Sequence, residues 1–349
     1  MGFVRYCNDM VEKRENLSTP AKLAVVIVNF NGKTDTIGCI PSVLASSMHP
    51  SDIIVVDNGS IEREDIDIQR EFPSITVIRS EENLGWSGGN NLGAFRALEN
   101  GADWLFLLNN DTVLLPGWWE SIQEVIKTDE WDLFGPVINE FHQPLTVQTE
   151  GVAFNPRGKN VFFDRISVPL VEPWGNDAKV KITPCDIVNG CAVLFRSDLF
   201  RKLNGIDDRF FLICEESDFC LRAKTLQARI GVMNRSLVLH KHSVSFAKAG
   251  KPVQRYYSIR NLGLLLSKHQ FGGERKNRFS SWFAYVRWVH HMHAYDTEQG
   301  NTLGARAISD GFADFLLGRF GRRETPRRGF VASACSVFFR FTTFLSRLR

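Results

Sequence analysis

The sequence predicts an α/β fold, a mostly parallel sheet flanked by helices and followed by a helical C-terminal region. Three observations carry this prediction. Apolar, β-branched runs begin near residues 23, 52, 75 and 104, so they recur every 23 to 29 residues. Helix-like patterns lie between them, and strands alternating with helices at this spacing mean βαβ units. The runs are continuously apolar rather than alternating, as expected for strands covered on both faces.

Taken in order, residues 1–20 read as a loose leader ending at Pro20. "KLAVVIVNFNG" is the first strand, "SDIIVVDNGS" (51–60) the second, "ITVIRSEENLG" (75–85) the third and "DWLFLLNNDT" (103–112) the fourth. Helices are expected over 34–46 and 88–99, the latter with Leu92, Phe95 and Leu98 at helical spacing. Residues 130–185 are rich in Pro, Gly, Asn and aromatics, with short strand signals. A strand and short helix follow over 186–207, then a helix over 217–229 and two short strands over 230–243 with Asn-Arg between them. From Val253 the pattern is helical, with Tyr256, Tyr257, Ile259, Leu262, Leu264 and Leu265 on one long apolar pattern. The expected organisation is a leader (1–20), a catalytic domain (21–250) with halves 21–118 and 119–250, and a helical region (251–349).

Composition narrows the class. In 349 residues, 44% are apolar and 23% charged, which permits a sizeable core and excludes wholesale disorder. A net charge of +3 does not by itself imply nucleic-acid binding. Seven cysteines form no CxxC pair and read as reduced core thiols of a cytoplasmic protein. No apolar run reaches the ~20 residues of a membrane-spanning helix, and the N-terminus lacks the apolar stretch of a signal peptide. From Arg319 onward there are eight arginines and one acid, Glu324, interleaved with Phe330, Phe338, Phe339, Phe341 and Phe344. Such a segment either lies on an anionic membrane surface or packs as a terminal helix with its arginines in water.

All four early strands end in small polar residues: Asn29-Phe30-Asn31-Gly32, Asp57-Asn58-Gly59-Ser60, Asn83-Leu84-Gly85-Trp86 and Asn109-Asn110-Asp111-Thr112. Ligands of open parallel sheets bind at the carboxyl ends of the strands. Turn and capping chemistry explains any one ending, whereas four together point to a site. Asp111 follows an apolar strand, and a carboxylate held there can bind Mg²⁺ or Mn²⁺ whose other positions take diphosphate oxygens. "NLGWSGGNNLGA" (83–94) lacks the Walker lysine and does not match GxGxxG. Its glycines, Gly88 and Gly89, before a helix would allow close backbone approach to a phosphate or sugar.

The ordered set "VVIVNFNG", "DIIVVDNGS", "NLGWSGGNN", "LLNNDT", "NGCAVLFRSDLF", "GIDDRFFLICEESDFCLR", "HKHSVS" and "YYSIRN", over about residues 23–261, resembles the family-2 glycosyltransferases of GT-A fold, in particular their rhamnosyltransferase-like branch. The resemblance implies a nucleotide-diphosphate sugar donor such as dTDP-rhamnose. It implies a glycan or lipid-linked acceptor in polysaccharide biosynthesis at the inner face of the cell envelope. Phe30, Asn31 and Asp57 would hold the base and ribose, with Asn83, Gly88, Gly89 and Asn90 nearby. Asn109, Asn110 and Asp111 stand where the family has its DxD-type metal motif. His240 would be a further metal or diphosphate contact, with His242 a weaker candidate. Arg260 would face the active site, or else lie on a solvated helix face.

"FFLICEESDFCLR" (210–222) sets three acids among apolar residues. By resemblance Glu216 is the general base, in a place where the family more often has Asp. An inverting transfer needs such a group to take the acceptor's proton, and carboxylates at a helix start are favoured by the helix dipole. Asp218 is four residues from Arg222, the spacing of a helical ion pair. Glu215 either contacts the acceptor or caps the helix. Two other functions compete. A nucleotidyltransferase on a similar sheet needs a Gly-rich loop with a basic residue directly after the first strand, where "VNFNGKTD" has only Lys33. A non-catalytic carbohydrate-binding or scaffold protein has no use for both Asp111 and Glu216.

Overall fold

A computed structural model describes residues 21–49, 52–155, 162–170, 179–241, 251–269, 275–323 and 330–347. The expected leader, His242, Arg327, Arg328 and Arg349 lie outside them, as do the side chains from Arg340 on.

The strands are β1 (Leu23–Asn29), β2 (Ile53–Asn58), β3 (Thr76–Ser80), β4 (Trp104–Asn109), β5 (Thr112–Leu114), β6 (Leu133–Glu140), β7 (Val147–Thr149), β8 (Gly151–Phe154), β9 (Phe163–Ile166), β10 (Ile182–Pro184), β11 (Ala192–Arg196) and β12 (Ile230–His240). Among the described residues, ten of them form one sheet with the order β10-β12-β6-β11-β4-β1-β2-β3, β5 adding to β12 and β7 to β6. β3, β2, β1 and β4 run parallel, with Val25 opposite both Ile53 and Phe106. β11 enters antiparallel between β4 and β6, and β12 returns parallel to β6. The predicted mixed α/β fold with a mostly parallel sheet is therefore the fold observed.

Helices cover both faces, which is why the early strands are continuously apolar. Val25, Val26 and Ile27 are all fully buried. Val25, Ile27 and Phe106 face one core with Trp118, while Val26, Leu105 and Leu107 face the other with Phe195 and Phe219. The four expected strands and the helices between them stand within a few residues of their predicted places.

Two local expectations differ. The third βα helix runs Gly85–Glu99, starting before Gly88. A Cβ on Gly89 would lie 2.8 Å from Val28 Cγ1, and one on Gly93 2.3 Å from Val26 Cγ1, so these glycines let the helix seat tightly on β1. Residues 230–240 form one strand rather than two. Asn234 makes no turn there. Its N–H and side-chain Oδ1 pair with the backbone of Lys181 beside it, and irregular register around Ser236 absorbs the change of pattern.

Beyond residue 250 the helices are Lys251–His269, Arg275–Glu298, Thr302–Leu316 and Phe330–Arg347. Ile259, Leu262, Tyr285, Ile308, Phe312 and Phe339 form their own core. Leu264 and Leu265 instead join the core beneath β11, so the first of these helices belongs to both layers. Cys39, Cys191, Cys214 and Cys220 are buried free thiols, and burial pushes each of them above the ordinary thiol range.

Candidate active site

The ends of β1 and β2 form one polar knot. Asn29 donates to Glu64 Oε2 at 2.8 Å and to Ser60 Oγ at 3.2 Å. The backbone N–H groups of Gly32 and Lys33 also reach Glu64 Oε2, at 3.0 and 3.2 Å. Asn31 takes a left-handed conformation (φ 48°), its side-chain oxygen accepting from Ile61 N at 3.0 Å. That turn leaves the neighbouring Phe30 ring 40% exposed beside it.

Asp57 is fully buried. Its carboxylate accepts from Arg79 and from the Ser60 N–H at 3.2 Å. It thus orders the β2 turn and pairs with Arg79. Asn83 has a comparable local task, its Oδ1 accepting from Gly85 N at 2.8 Å and Asn58 Nδ2 at 3.3 Å. Gly88, Gly89 and Asn90 stand in the first turns of the helix. Gly88 lies against Leu84, Gly89 against the sheet, and the 2%-exposed Asn90 donates to Trp86 O at 2.9 Å. The two glycines let the helix pack tightly there.

At the end of β4, three residues diverge. Asn109 accepts from the Trp86 indole N–H at 3.0 Å. Asn110 turns back to Thr36 Oγ1 at 3.0 Å. Asp111 faces β12, where His240 Nε2 lies 3.2 Å from its Oδ1. His240 Nδ1 lies 2.9 Å from Gln148 Oε1, so Nδ1 is the natural donor there. Nε2 then presents a lone pair to a carboxylate, an arrangement that a proton or a metal ion between them resolves. One carboxylate and one imidazole suit a divalent ion that takes its other ligands from diphosphate and water. Among the described residues, no group of three or more metal-binding side chains gathers here.

The acids of 215–218 lie at the start of the helix Glu215–Thr225. Glu216 is half-buried, and burial raises its carboxyl, partly offset by its backbone N–H bond and by Ser217 Oγ at 3.1 Å. It packs on the backbone of Gly190, where a Cβ would come within 3.1 Å of Glu216 Cβ and 3.3 Å of the Trp86 ring. Glu215 is buried, with no donor reaching its Oε2 among the described residues. Burial first, and then the charge of Glu216, hold its carboxyl well above the usual range. Asp218 makes the expected pair with Arg222 at 2.7 Å, together with Lys268 at 2.6 Å and His269 at 2.9 Å. Burial pushes that carboxyl up, but His269, Arg222 and Lys268 more than offset it.

Arg260 is neither in the site nor on a solvated face. It is 1% exposed and donates to the carbonyls of Phe210 (2.9 Å), Arg209 (3.1 Å) and Gly321 (2.6 Å). The sequence reading passed over Trp86 and Gly190 as site residues, although both stand in the motifs "NLGW" and "NGCA".

A mixed α/β sheet flanked by helices brings Asp111 and His240 together beyond the end of β4, with Glu216 and Trp86 both against Gly190. Residues 24–169 match the family model of glycosyl transferase family 2. The chain is 25% identical over 249 residues to the low-salt glycan biosynthesis hexosyltransferase Agl10 of Haloferax volcanii, covering 68% of this chain and 73% of that protein. It is 24% identical over 330 residues to the galactofuranosyltransferase GlfT1 of Mycolicibacterium smegmatis, covering 88% and 98%. The crystal structure of GalNAc-T7 with UDP, GalNAc and Mn²⁺ superposes with a TM-score of 0.53 at 15% identity, over 82% of this chain and 59% of that one. At that identity the likeness is one of fold.

Proposed function

We propose that this glycosyltransferase moves a sugar from a nucleotide-diphosphate donor to a hydroxyl of a glycan or glycolipid acceptor, with inversion and with Glu216 as general base. One observation carries the reading. Glu216 packs on Gly190, Gly190 on Trp86, and Trp86 bonds Asn109 beside Asp111, so base and donor edge share one wall.

In this reading the Glu216 carboxylate takes the proton of the acceptor hydroxyl as its oxygen attacks the anomeric carbon. The bond to the diphosphate breaks on the opposite face, and the nucleotide diphosphate departs with the electron pair. Asp111 and His240 would hold Mg²⁺ or Mn²⁺, which supplies positive charge to the diphosphate. Phe30 and Asn31 would flank the base. The donor half is assigned to residues 21–118 and the acceptor half to 119–250.

The sequence resemblance favours dTDP-rhamnose as donor, and the names of the two relatives favour hexosyl and galactofuranosyl donors. A panel of nucleotide sugars with Mn²⁺ or Mg²⁺ and a membrane glycolipid extract decides among them. Transfer from one donor, lost in Glu216→Gln, is the expected result, and undiminished transfer in Glu216→Gln overturns the base assignment.

We also assign the basic, Phe-rich tail to peripheral contact with an anionic inner membrane surface. Val337 is 66% exposed and Phe338 55%, while Phe339 is buried against the helices. No helix among the described residues is long and apolar enough to cross a membrane. Co-sedimentation with phosphatidylserine vesicles should weaken in a Val337→Ser, Phe338→Ser double variant, and equal sedimentation removes the assignment.

A further inference from the structure

We infer that the helix Lys251–His269 positions the proposed base, with Asn261 and Arg260 as its positioning residues. This rests on the reading of Glu216 as general base. The segment leading to Glu216 is built against local preference. Phe211 (φ 65°), Ile213 (φ 71°) and Cys214 (φ 71°) are all left-handed, and none is glycine. Such conformations cost on the order of 1–3 kcal/mol each and persist only where surrounding structure imposes them. Ile213 is β-branched, the least tolerant type of the three. Cys214 is the N-cap of the helix bearing Glu216, and its side chain makes no capping bond.

The restraint comes from elsewhere in the chain. Asn261 Nδ2 shares its two N–H groups among the carbonyls of Phe210 (2.8 Å), Leu212 (2.6 Å) and Ile213 (2.7 Å). Arg260 Nε donates to Asn261 Oδ1 at 2.9 Å, which fixes the way the amide faces. The rest of the Arg260 fork holds Arg209, Phe210 and Gly321. Gly321 N in turn donates to Arg209 O at 2.7 Å, and Trp86 N to Phe211 O at 2.8 Å. Every carbonyl from 209 to 213 therefore accepts from a residue outside the segment. Past Glu216, Lys268 and His269 of the same helix hold Asp218, and Lys268 also reaches Asp207 at 2.6 Å.

One helix thus grips the chain on both sides of Glu216, and the Glu216 carboxyl sits between these anchors, accepting from Ser217 Oγ at 3.1 Å. Displacing a catalytic group by about 1 Å can cost about a hundredfold in rate. Loosening this helix should lower kcat and weaken acceptor use while the donor edge at Asp111 stays as it is.

The test compares Asn261→Ala and Arg260→Lys with Ile308→Ala, which opens the helical core without touching the segment. Tm, kcat and the KM of donor and acceptor are measured for each. Asn261→Ala should lose about 10- to 100-fold in kcat with donor KM within about twofold, and Arg260→Lys should fall between it and wild type. A kcat loss in Asn261→Ala no greater than that of Ile308→Ala at equal Tm loss overturns the inference. Should Asn261→Ala fail to fold, Lys268→Met replaces it, and an unchanged kcat there overturns the inference. Glu216→Gln is run beside them. Wild-type transfer in Glu216→Gln removes the base and with it what the helix would position. Inactive Glu216→Gln beside fully active Asn261→Ala removes only the positioning.

Discussion

The indole N–H of Trp86 donates to the Asn109 side-chain oxygen at 3.0 Å, joining the start of the helix Gly85–Glu99 to the end of β4. The same ring and the Glu216 side chain both close on Gly190, where a Cβ would come within 3.3 Å of the ring and 3.1 Å of Glu216 Cβ. Trp86 is therefore the wall shared by the donor edge and the proposed base. Trp86→Phe keeps most of the ring and removes the donor. A hydrogen bond of this kind contributes about 1 kcal/mol, so kcat/KM should fall about five- to tenfold with Tm little changed, as read by steady-state transfer and thermal melting.

Glu216 must be ionised to take a proton, and burial holds its carboxyl above the ordinary glutamate value of 4.5. Transfer should therefore be lost as pH falls through that raised value, so the acid limb of kcat lies above pH 4.5. Glu216→Gln should reduce kcat by about 10²- to 10⁴-fold and abolish the limb. A pH–rate profile with its acid limb at or below 4.5 contradicts the assignment.

Asp111 and His240 should act as a pair on the metal. Asp111→Asn and His240→Ala should each raise the Mn²⁺ concentration needed for half-maximal binding of a nucleoside diphosphate by about tenfold or more. Titration calorimetry with and without Mn²⁺ reads this in the absence of turnover. Metal-independent binding of equal strength in wild type and both variants contradicts the pair's role.

Glu215 carries a pH-dependent cost. Its folded pKa is raised, so between about pH 4.5 and that raised value the folded chain holds a proton that the unfolded chain has released. Stability then falls with rising pH by about 1.4 kcal/mol per unit. Glu215→Gln removes the titration. Its Tm relative to wild type should rise steadily from pH 4.5 upward, and a difference that does not vary with pH contradicts the buried neutral carboxyl.

Much of the sheet was legible because burial on two faces leaves a local mark. β1, β2 and β4 are largely contiguous apolar runs, and Asp218–Arg222 is a pair four residues apart on one helix. Elsewhere local marks left the partner open. The glycines Gly89 and Gly93 pack on Val28 and Val26, which their spacing did not reveal. Arg260 reads as a surface or active-site cation and is a buried clamp.

By itself the sequence determined the α/β class, the family it resembles, the polar residues at each strand end and the acids at one helix start. Those depend on neighbours within a few positions, where periods of 2 and 3.6 and simple turn chemistry operate. Tertiary structure alone decided that His240 meets Asp111 across 129 positions, that Gly190 seats Glu216 against Trp86, and that Asn261 holds the bend before it. Those partners are set by strand register and by which helix packs over which loop, and a side chain's own sequence surroundings carry no trace of either.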